Sequence, residues 1–308
     1  MDYDAVMSVS FKDRHKAVLS IRHLLKNAAP EKIFVITPKR SFKYFSKINK
    51  NLILINENTL IPGVTLLDIK KYLLSLSPPN YMAGWYFQQF LKMAMCYHRD
   101  ILEHYLIWDA DTILLQPLEF FTNQGKILVT KAHEFHPPYF DVLFKILKEK
   151  RHVDFSFIAQ HMMIKTAIMK ELIGKIEKSP ADNDAWIWKI IHSLSNRSDC
   201  PGFENSLKGL PEFSEYETYG NYIHNHYPET VEYRELAWHR DYAYKGHFPT
   251  DADLEKYTLH YCFIAFEAWY PVSVVEKIWS YIRFFLLALK LRKLKLKAEC
   301  LIVRCFKK

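Results

Sequence analysis

An α/β protein with a mostly parallel sheet flanked by helices is what this chain predicts, and three observations predict it. Short apolar strands alternate with helical periodicity through the first third of the sequence. A proline break at 76–80 (LSPPN) is followed by another helical stretch. An apolar strand then runs straight into Asp109-Ala110-Asp111. In order, 6–10 reads as a strand and 14–26 as a helix, with Val18, Ile21, Leu24 and Leu25 at helical spacing. Residues 33–37 (IFVIT) form a second buried strand ended by Pro38, and 52–55 a third. The stretch GWYFQQFLKMAMCYHRD gives a helix over 82–97, and 105–108 is the strand that precedes the aspartates. Beyond it, 127–130 and 156–164 read as strands, and 139–150 and 165–178 as helices. Asp182 is placed to cap a helix holding Trp186, Trp188 and Ile191. Residues 200–260 show little periodicity and read as mixed and irregular, and from Val272 the chain turns helical and basic. The expected organisation is one domain over 1–272, in halves of about 1–130 and 131–272, followed by a basic amphipathic helical tail.

Composition excludes several classes. The chain is 49% hydrophobic and 25% charged, an ordinary globular balance that rules out wholesale disorder. Its 8 glycines are never closer than seven residues apart, so neither the Gly-rich dinucleotide fingerprint nor a P-loop is present. The net charge of +8 sits in one place: 276–308 holds ten basic and two acidic residues, which leaves 32 of each sign over 1–275. A neutral body argues against a nucleic-acid partner. Five scattered cysteines (Cys96, Cys200, Cys262, Cys300, Cys305) without CxxC spacing suggest neither a disulfide framework nor a zinc knuckle, and fit a reducing cytoplasm. The opening MDYDAVMSVSFKD lacks the basic and long apolar regions of a secretory signal, and no uncharged run reaches spanning length, so neither export nor a membrane span is expected.

The sharpest chemical feature is LIWDADTILLQPL. A strand ending in two aspartates separated by one small residue sets both carboxylates at the C-terminal edge of a sheet, where ligands of open α/β sheets bind. Hard oxygen ligands of this kind suit Mg²⁺ or Mn²⁺ carrying a diphosphate. The expected metal ligands are therefore Asp109 and Asp111.

The order of short motifs carries a resemblance. Val-Met-Ser-Val-Ser-Phe-Lys-Asp at the start, Gly84-Trp85-Tyr86-Phe87-Gln88-Gln89-Phe90-Leu91-Lys92, Ile107-Trp108-Asp109-Ala110-Asp111-Thr112 and Gln116-Pro117-Leu118 together resemble the GT-A fold, a Rossmann-like fold of nucleotide-sugar glycosyltransferases. Two later stretches narrow it to a bacterial surface polysaccharide or lipopolysaccharide type: Ser156-Phe157-Ile158-Ala159-Gln160-His161 and Phe213-Ser214-Glu215-Tyr216-Glu217-Thr218-Tyr219-Gly220. The resemblance spans about 3–270 and leaves the tail outside.

It implies sugar transfer from a nucleoside diphosphate to an acceptor hydroxyl, with Mn²⁺ or Mg²⁺. The first strand and its loop would hold the nucleotide through Ser10, Phe11 and Asp13, with Trp108 and Asp109 beside them; Asp13 reads equally as a cap of the helix that follows. Gln89 and Lys92, three apart on one helical face, are placed for the diphosphate, and equally for a solvated face. Glu215 is the candidate base and Glu217 the residue orienting sugar hydroxyls, on a loop-like stretch after Pro211 where two exposed acids are the alternative. Gln160 and His161 break an apolar run, as sugar ligands or as a satisfied core pair. His226, His239 and His260 are open alternatives for a third metal ligand. His224-Asn225-His226 matches a nuclease signature but lacks the accompanying ligands and basic surface.

The tail mixes Ile278, Trp279, Ile282, Phe284, Phe285, Leu286, Leu287, Leu289 and Leu291 with its net charge of +8, which reads as an interfacial helix drawn to anionic lipid. The coherent picture is a peripheral enzyme on the inner face of the cell membrane, acting on a saccharide or lipid-linked saccharide acceptor. A sugar nucleotidyltransferase is the competing enzyme class, though residues 6–13 hold none of the glycines its phosphate loop needs. A membrane-bound scaffold without activity is the non-enzymatic one.

Overall fold

The computed structural model describes residues 1–178, 185–195, 209–240 and 249–266. Its chain divides into two units, Met1–Ala110 with Pro117–Leu236 and Asp111–Gln116 with Ala237–Lys308. The expected cap Asp182 and the basic tail lie outside the described residues.

In the first unit, β1 (Asp4–Ser8), the helix α1 (Arg14–Asn27), β2 (Ile33–Thr37), the short helix α2 (Phe42–Phe45) and β3 (Leu52–Asn56) follow one another. β2 is buried at all five positions, as a β-branched run between two strands should be. α1 buries Ala17, Ser20, Ile21 and Leu24, the spacing of one helical face. The single-turn α3 (Glu57–Leu60) and α4 (Leu66–Ser75) come next, neither foreseen from sequence; Thr65 and Asp68 start α4 with a reciprocal capping box. Then come α5 (Ala83–Ala94) and β4 (His104–Trp108).

The central sheet runs β3, β2, β1, β4, with the first four strands parallel. The chain moves outward from β1 to β3 and then returns to the other side of β1 with β4. This reversal of strand order lies between β1 and β4, where open α/β sheets place their ligands.

An antiparallel edge strand completes the sheet. It was expected from residue 156, but the strand that pairs with β4 begins only at His161. Gln160 takes φ 63°, the left-handed region, which interrupts extended backbone just before it; Ser156 makes only an isolated bridge to Ala132.

Numbering in chain order gives β5 (Thr112–Leu114), β6 (Ile127–Thr130), α6 (Pro137–Leu147), β7 (His161–Lys165), α7 (Thr166–Glu177) and α8 (Trp186–His192). After these come α9 (Glu215–His226), β8 (Val231–Arg234), β9 (Trp238–Arg240), α10 (Asp251–Thr258) and β10 (Phe263–Ala265). Within the stretch read as irregular, the described residues 209–240 and 249–260 hold two α-helices and two strands. α9 escaped notice because every residue from Glu215 to Ile223 is buried, so no polar and apolar faces alternate. β6 and β8 form a parallel pair in the first unit. The second unit carries the sheet β5, β10, β9; just past β5, Gln116 Nε2 donates to Thr258 O at the end of α10 at 2.6 Å and to Tyr261 O at 3.2 Å. Among the described residues, no helix is long and apolar enough to cross a membrane.

Candidate active site

Three charged side chains meet within the first unit, beside the reversal of strand order. Lys92, on α5, is only 1% exposed. Its ammonium donates to Asp109 Oδ1 at 2.5 Å and to Glu215 Oε1 at 2.8 Å. Asp109 directly follows β4, and Glu215 opens α9 and is 4% exposed. A buried lysine carries a heavy desolvation cost unless carboxylates compensate it. Burial pulls the Lys92 ammonium toward neutrality, but Asp109 and Glu215 outweigh it and hold it charged, above the ordinary lysine range. For Glu215, burial is the largest influence and lifts the carboxyl above its ordinary value, while Lys92 opposes the rise. Tyr216 closes the cluster, its ring centroid 5.0 Å from Lys92 Nζ.

Gln89 stands one turn earlier on α5 and serves the same junction. Its Oε1 accepts from the Glu215 backbone N–H at 3.0 Å, and its Nε2 donates to Trp85 O at 3.1 Å. Gln89 and Lys92 thus share a face, as spacing predicts, but that face is buried against the start of α9 instead of solvated. Asp109 has one oxygen to spare: its side chain is 19% exposed, and Oδ2 has no protein partner among the described residues.

Behind Asp109 lies a packed support. Trp108, expected beside a nucleotide, is fully buried at the end of β4. The ring of His161 stacks on it at 5.3 Å, with Nε2 3.1 Å from Thr130 Oγ1. Burial, aided by the Arg234 charge, pushes His161 down to about 3, so the imidazole is neutral at physiological pH. Gln160 supplies its carbonyl to the Asp109 N–H at 3.0 Å.

Glu217 is drawn into the fold. Its Oε1 accepts from Ser156 Oγ at 2.6 Å and Phe157 N at 3.2 Å, and its Oε2 from Asn221 Nδ2 at 3.1 Å. Two residues apart on a helix, Glu215 and Glu217 point to different sides, not to the one side that loop spacing implied. Close packing joins the same two motifs again: a Cβ on Gly220 would stand 2.1 Å from Phe157 Cγ. Ser156-Phe157 and Glu217-Gly220 are thus mates, a pairing that short sequence motifs cannot reveal.

At the end of β1, Ser10 Oγ donates to Asp13 Oδ2 at 2.6 Å. Asp13 occupies the N-cap position of α1 but makes no side-chain cap bond. The guanidinium carbons of Arg14 and Arg40 lie 4.1 and 4.2 Å from the centroid of Phe11, so that ring is already engaged. Of the histidines considered for a metal, His226 ends α9, about 16 Å along the helix from Glu215, and pairs with Glu149 at 2.6 Å. In the second unit His239 stacks on Tyr261 at 5.4 Å and His260 meets the same ring at 6.3 Å. No group of three or more His, Cys, Asp or Glu among the described residues is placed to hold a metal.

No curated protein matches the chain by sequence. Among solved structures, mouse xyloside xylosyltransferase 1 in its apo form is similar over 89% of this chain and 100% of its own, at 13% identity and a TM-score of 0.40. The galactosyltransferase LgtC, in complex with donor and acceptor sugar analogues, is similar over 85% of this chain and 86% of its own, at 10% identity and a TM-score of 0.42. The bifunctional glycosyltransferase WbbM is similar over 86% of this chain and 45% of its own, at 12% identity and a TM-score of 0.38. Likeness this loose carries no argument about activity. Residues 3–253 match the model of a family of unknown function, DUF6492, and the chain belongs to that family.

Proposed function

We propose that the protein is a GT-A-type glycosyltransferase, moving a sugar from a nucleoside-diphosphate donor to a hydroxyl of a saccharide acceptor. One observation supports this most: a buried Lys92 joins Asp109 and Glu215 beside the reversal of strand order, where such sheets bind ligands. Perturbed, mutually compensated charges at a ligand-binding edge are the mark of a working site. In this reading Glu215 is the base that takes the proton of the acceptor hydroxyl. Its carboxyl is lifted by burial above its ordinary value, which makes its carboxylate a stronger base, while Lys92 opposes that rise. Lys92 is a positioning residue, with two of its three N–H donors spent on the carboxylates.

A divalent cation suits the donor set. Asp109 offers Oδ2, and Asp111 stands two residues on in the chain; Mg²⁺ or Mn²⁺ is commonly held by one or two carboxylates plus substrate phosphates. When bound, such an ion supplies positive charge against the departing diphosphate. On sequence alone, the basic segment 274–308 attaches the enzyme to anionic lipid, which makes a lipid-linked acceptor coherent.

Asp109→Asn and Glu215→Gln test the site. Each is expected to lower turnover of the nucleotide-sugar donor by at least about a hundredfold, with a cooperative melting transition still present but at a lower temperature, because each removes a partner of the buried Lys92. Undiminished turnover in both variants would remove the assignment. For the tail, a chain ending at residue 273 is expected to stay soluble and no longer float with anionic vesicles; unchanged flotation would refute the attachment.

A further inference from the structure

The stretch from Lys131 to Arg151 carries an exposed row of rings that neither the core nor the site above uses. α6 buries Tyr139, Val142, Leu143 and Ile146, which turns Phe140 and Phe144, four residues apart, to its outer face. Phe144 is 45% exposed, and Phe135, just before the helix, 61%. The rings of Phe135 and Phe140 stack with centroids 5.6 Å apart and planes 21° apart. Cations are interleaved with them. The Arg151 guanidinium lies 4.8 Å from the Phe135 centroid and 5.2 Å from that of Phe140. Lys148 and Lys150 Nζ lie 5.3 and 6.0 Å from Phe144. Lys148 has φ 59°, a left-handed residue that turns the chain back so that 150 and 151 return over the helix.

One end of the row, at Phe135 and His136, lies toward the start of α9, and the other runs along that helix toward His226. α6 packs against α9, the helix that Glu215 opens, and His136 Nε2 lies 2.7 Å from Pro211 O, four residues before Glu215. Nearby acids are Glu134, Asp141, Glu149 and Glu217; Glu149 already accepts from Asn225 and pairs with His226, and Glu217, whose carboxylate the Arg151 charge favours, accepts from Ser156, Phe157 and Asn221. Lys145 is spent on Ser193 O and Ser195 Oγ.

We propose that this row is an acceptor-binding surface for an acidic saccharide. Aromatic faces take the C–H faces of successive pyranose rings, and Arg151, Lys148 and Lys150 meet carboxylate or phosphate groups on them. The inference rests on the transferase reading, because it names the acceptor class for the Glu215 site. A bilayer is the poorer fit: lipid-inserting surfaces separate rings from charges, whereas here each cation lies against a ring. A nucleic acid is the poorer fit because the body of the chain is charge-neutral.

Native affinity electrophoresis of the full chain, without donor, tests the surface in gels containing polygalacturonate or neutral dextran. Polygalacturonate is expected to retard the wild type, and Phe135→Ala/Phe144→Ala to weaken that binding roughly tenfold. Arg151 also donates to Phe155 O at 3.0 Å, so the exposed pair Lys148→Gln/Lys150→Gln reads the charge contribution without risking the fold; it is expected to weaken binding as well. Equal retardation by dextran, retardation unchanged in the ring variant, or no retardation at all would each overturn the proposal. So would a ring variant that keeps its polygalacturonate binding and loses flotation with phosphatidylglycerol vesicles or binding to poly(U). No donor enters this assay. A chain that binds polygalacturonate but turns over no nucleotide sugar keeps the surface and loses the transferase reading, whereas one that turns over donor without being retarded loses only the surface.

Discussion

Replacing Lys92 by methionine leaves Asp109 and Glu215 without their shared cation. Removing one partner of a buried ion pair costs about 3–5 kcal/mol, and a loss of that size is expected in denaturant unfolding at pH 7. A loss under about 1 kcal/mol would mean that the pair is not buried in solution. The same residue sets the pH dependence. Because burial raises the folded value of Glu215, its basic form appears only above an elevated value, so the acid limb of kcat/KM is expected at higher pH than for an ordinary carboxylate. Lys92 opposes that rise, and Lys92→Met is therefore expected to move the limb further up in whatever activity remains; a limb that moves down would contradict the pairing. Gly220 makes a separate demand. With a Cβ 2.1 Å from the Phe157 ring, Gly220→Ala has to displace packed atoms, and overpacking of this kind costs about 1–3 kcal/mol. Unfolding midpoints at constant m-value check it, and an unchanged midpoint would mean that Phe157 has room to move.

α9 is fastened at both ends, and its two fastenings respond differently to pH. Its start is capped by Ser214 and Gln89 and tied by Glu215 to Lys92. Its end is tied by Glu149, which accepts from Asn225 Nδ2 at 2.8 Å and pairs with His226 at 2.6 Å. Burial works to raise the Glu149 carboxyl, but the bonds from His226 and Asn225 prevail and hold it below its ordinary value. A depressed carboxylate contributes stability that is present above its unfolded value and lost as pH falls through the folded one. Glu149→Gln is expected to cost about 1–2 kcal/mol at pH 7 and much less below about pH 4, measured by urea unfolding at both values. An equal cost at both would show that the charge plays no part. The strands from β1 to β4 were legible because each carries a short, mostly apolar run, IFVIT of the fully buried β2 most plainly. α9 was not, since a helix buried on every side has no period to detect, and β7 was begun too early because nothing in Phe-Ile-Ala-Gln announces a left-handed residue at 160.

At the scale of the molecule, the aspartate at the end of β4 was legible in the sequence because an apolar strand delivers it to the sheet edge. Its partners were not. Lys92 and Glu215 are separated by 123 residues, and only the packing of α5 against α9 brings them together. Trp108 and His161 carried motif-like signals, and both are buried with their rings stacked, a placement that sequence does not announce because aromatic residues fill cores as readily as they line sites. Residues 1–275 carry 32 charges of each sign, so donor recognition is expected to depend on local groups more than on a long-range field of the body. The most direct measurement is a thermal-shift titration with UDP-, GDP-, CMP- and ADP-sugars, with and without Mn²⁺, on the wild type and on Asp109→Asn. A ligand that binds only the folded chain raises its melting temperature by mass action. One nucleotide sugar is expected to stabilise the wild type in the presence of Mn²⁺ and to leave Asp109→Asn unmoved. Stabilisation by none of the four, or the same stabilisation in the variant, would contradict the account.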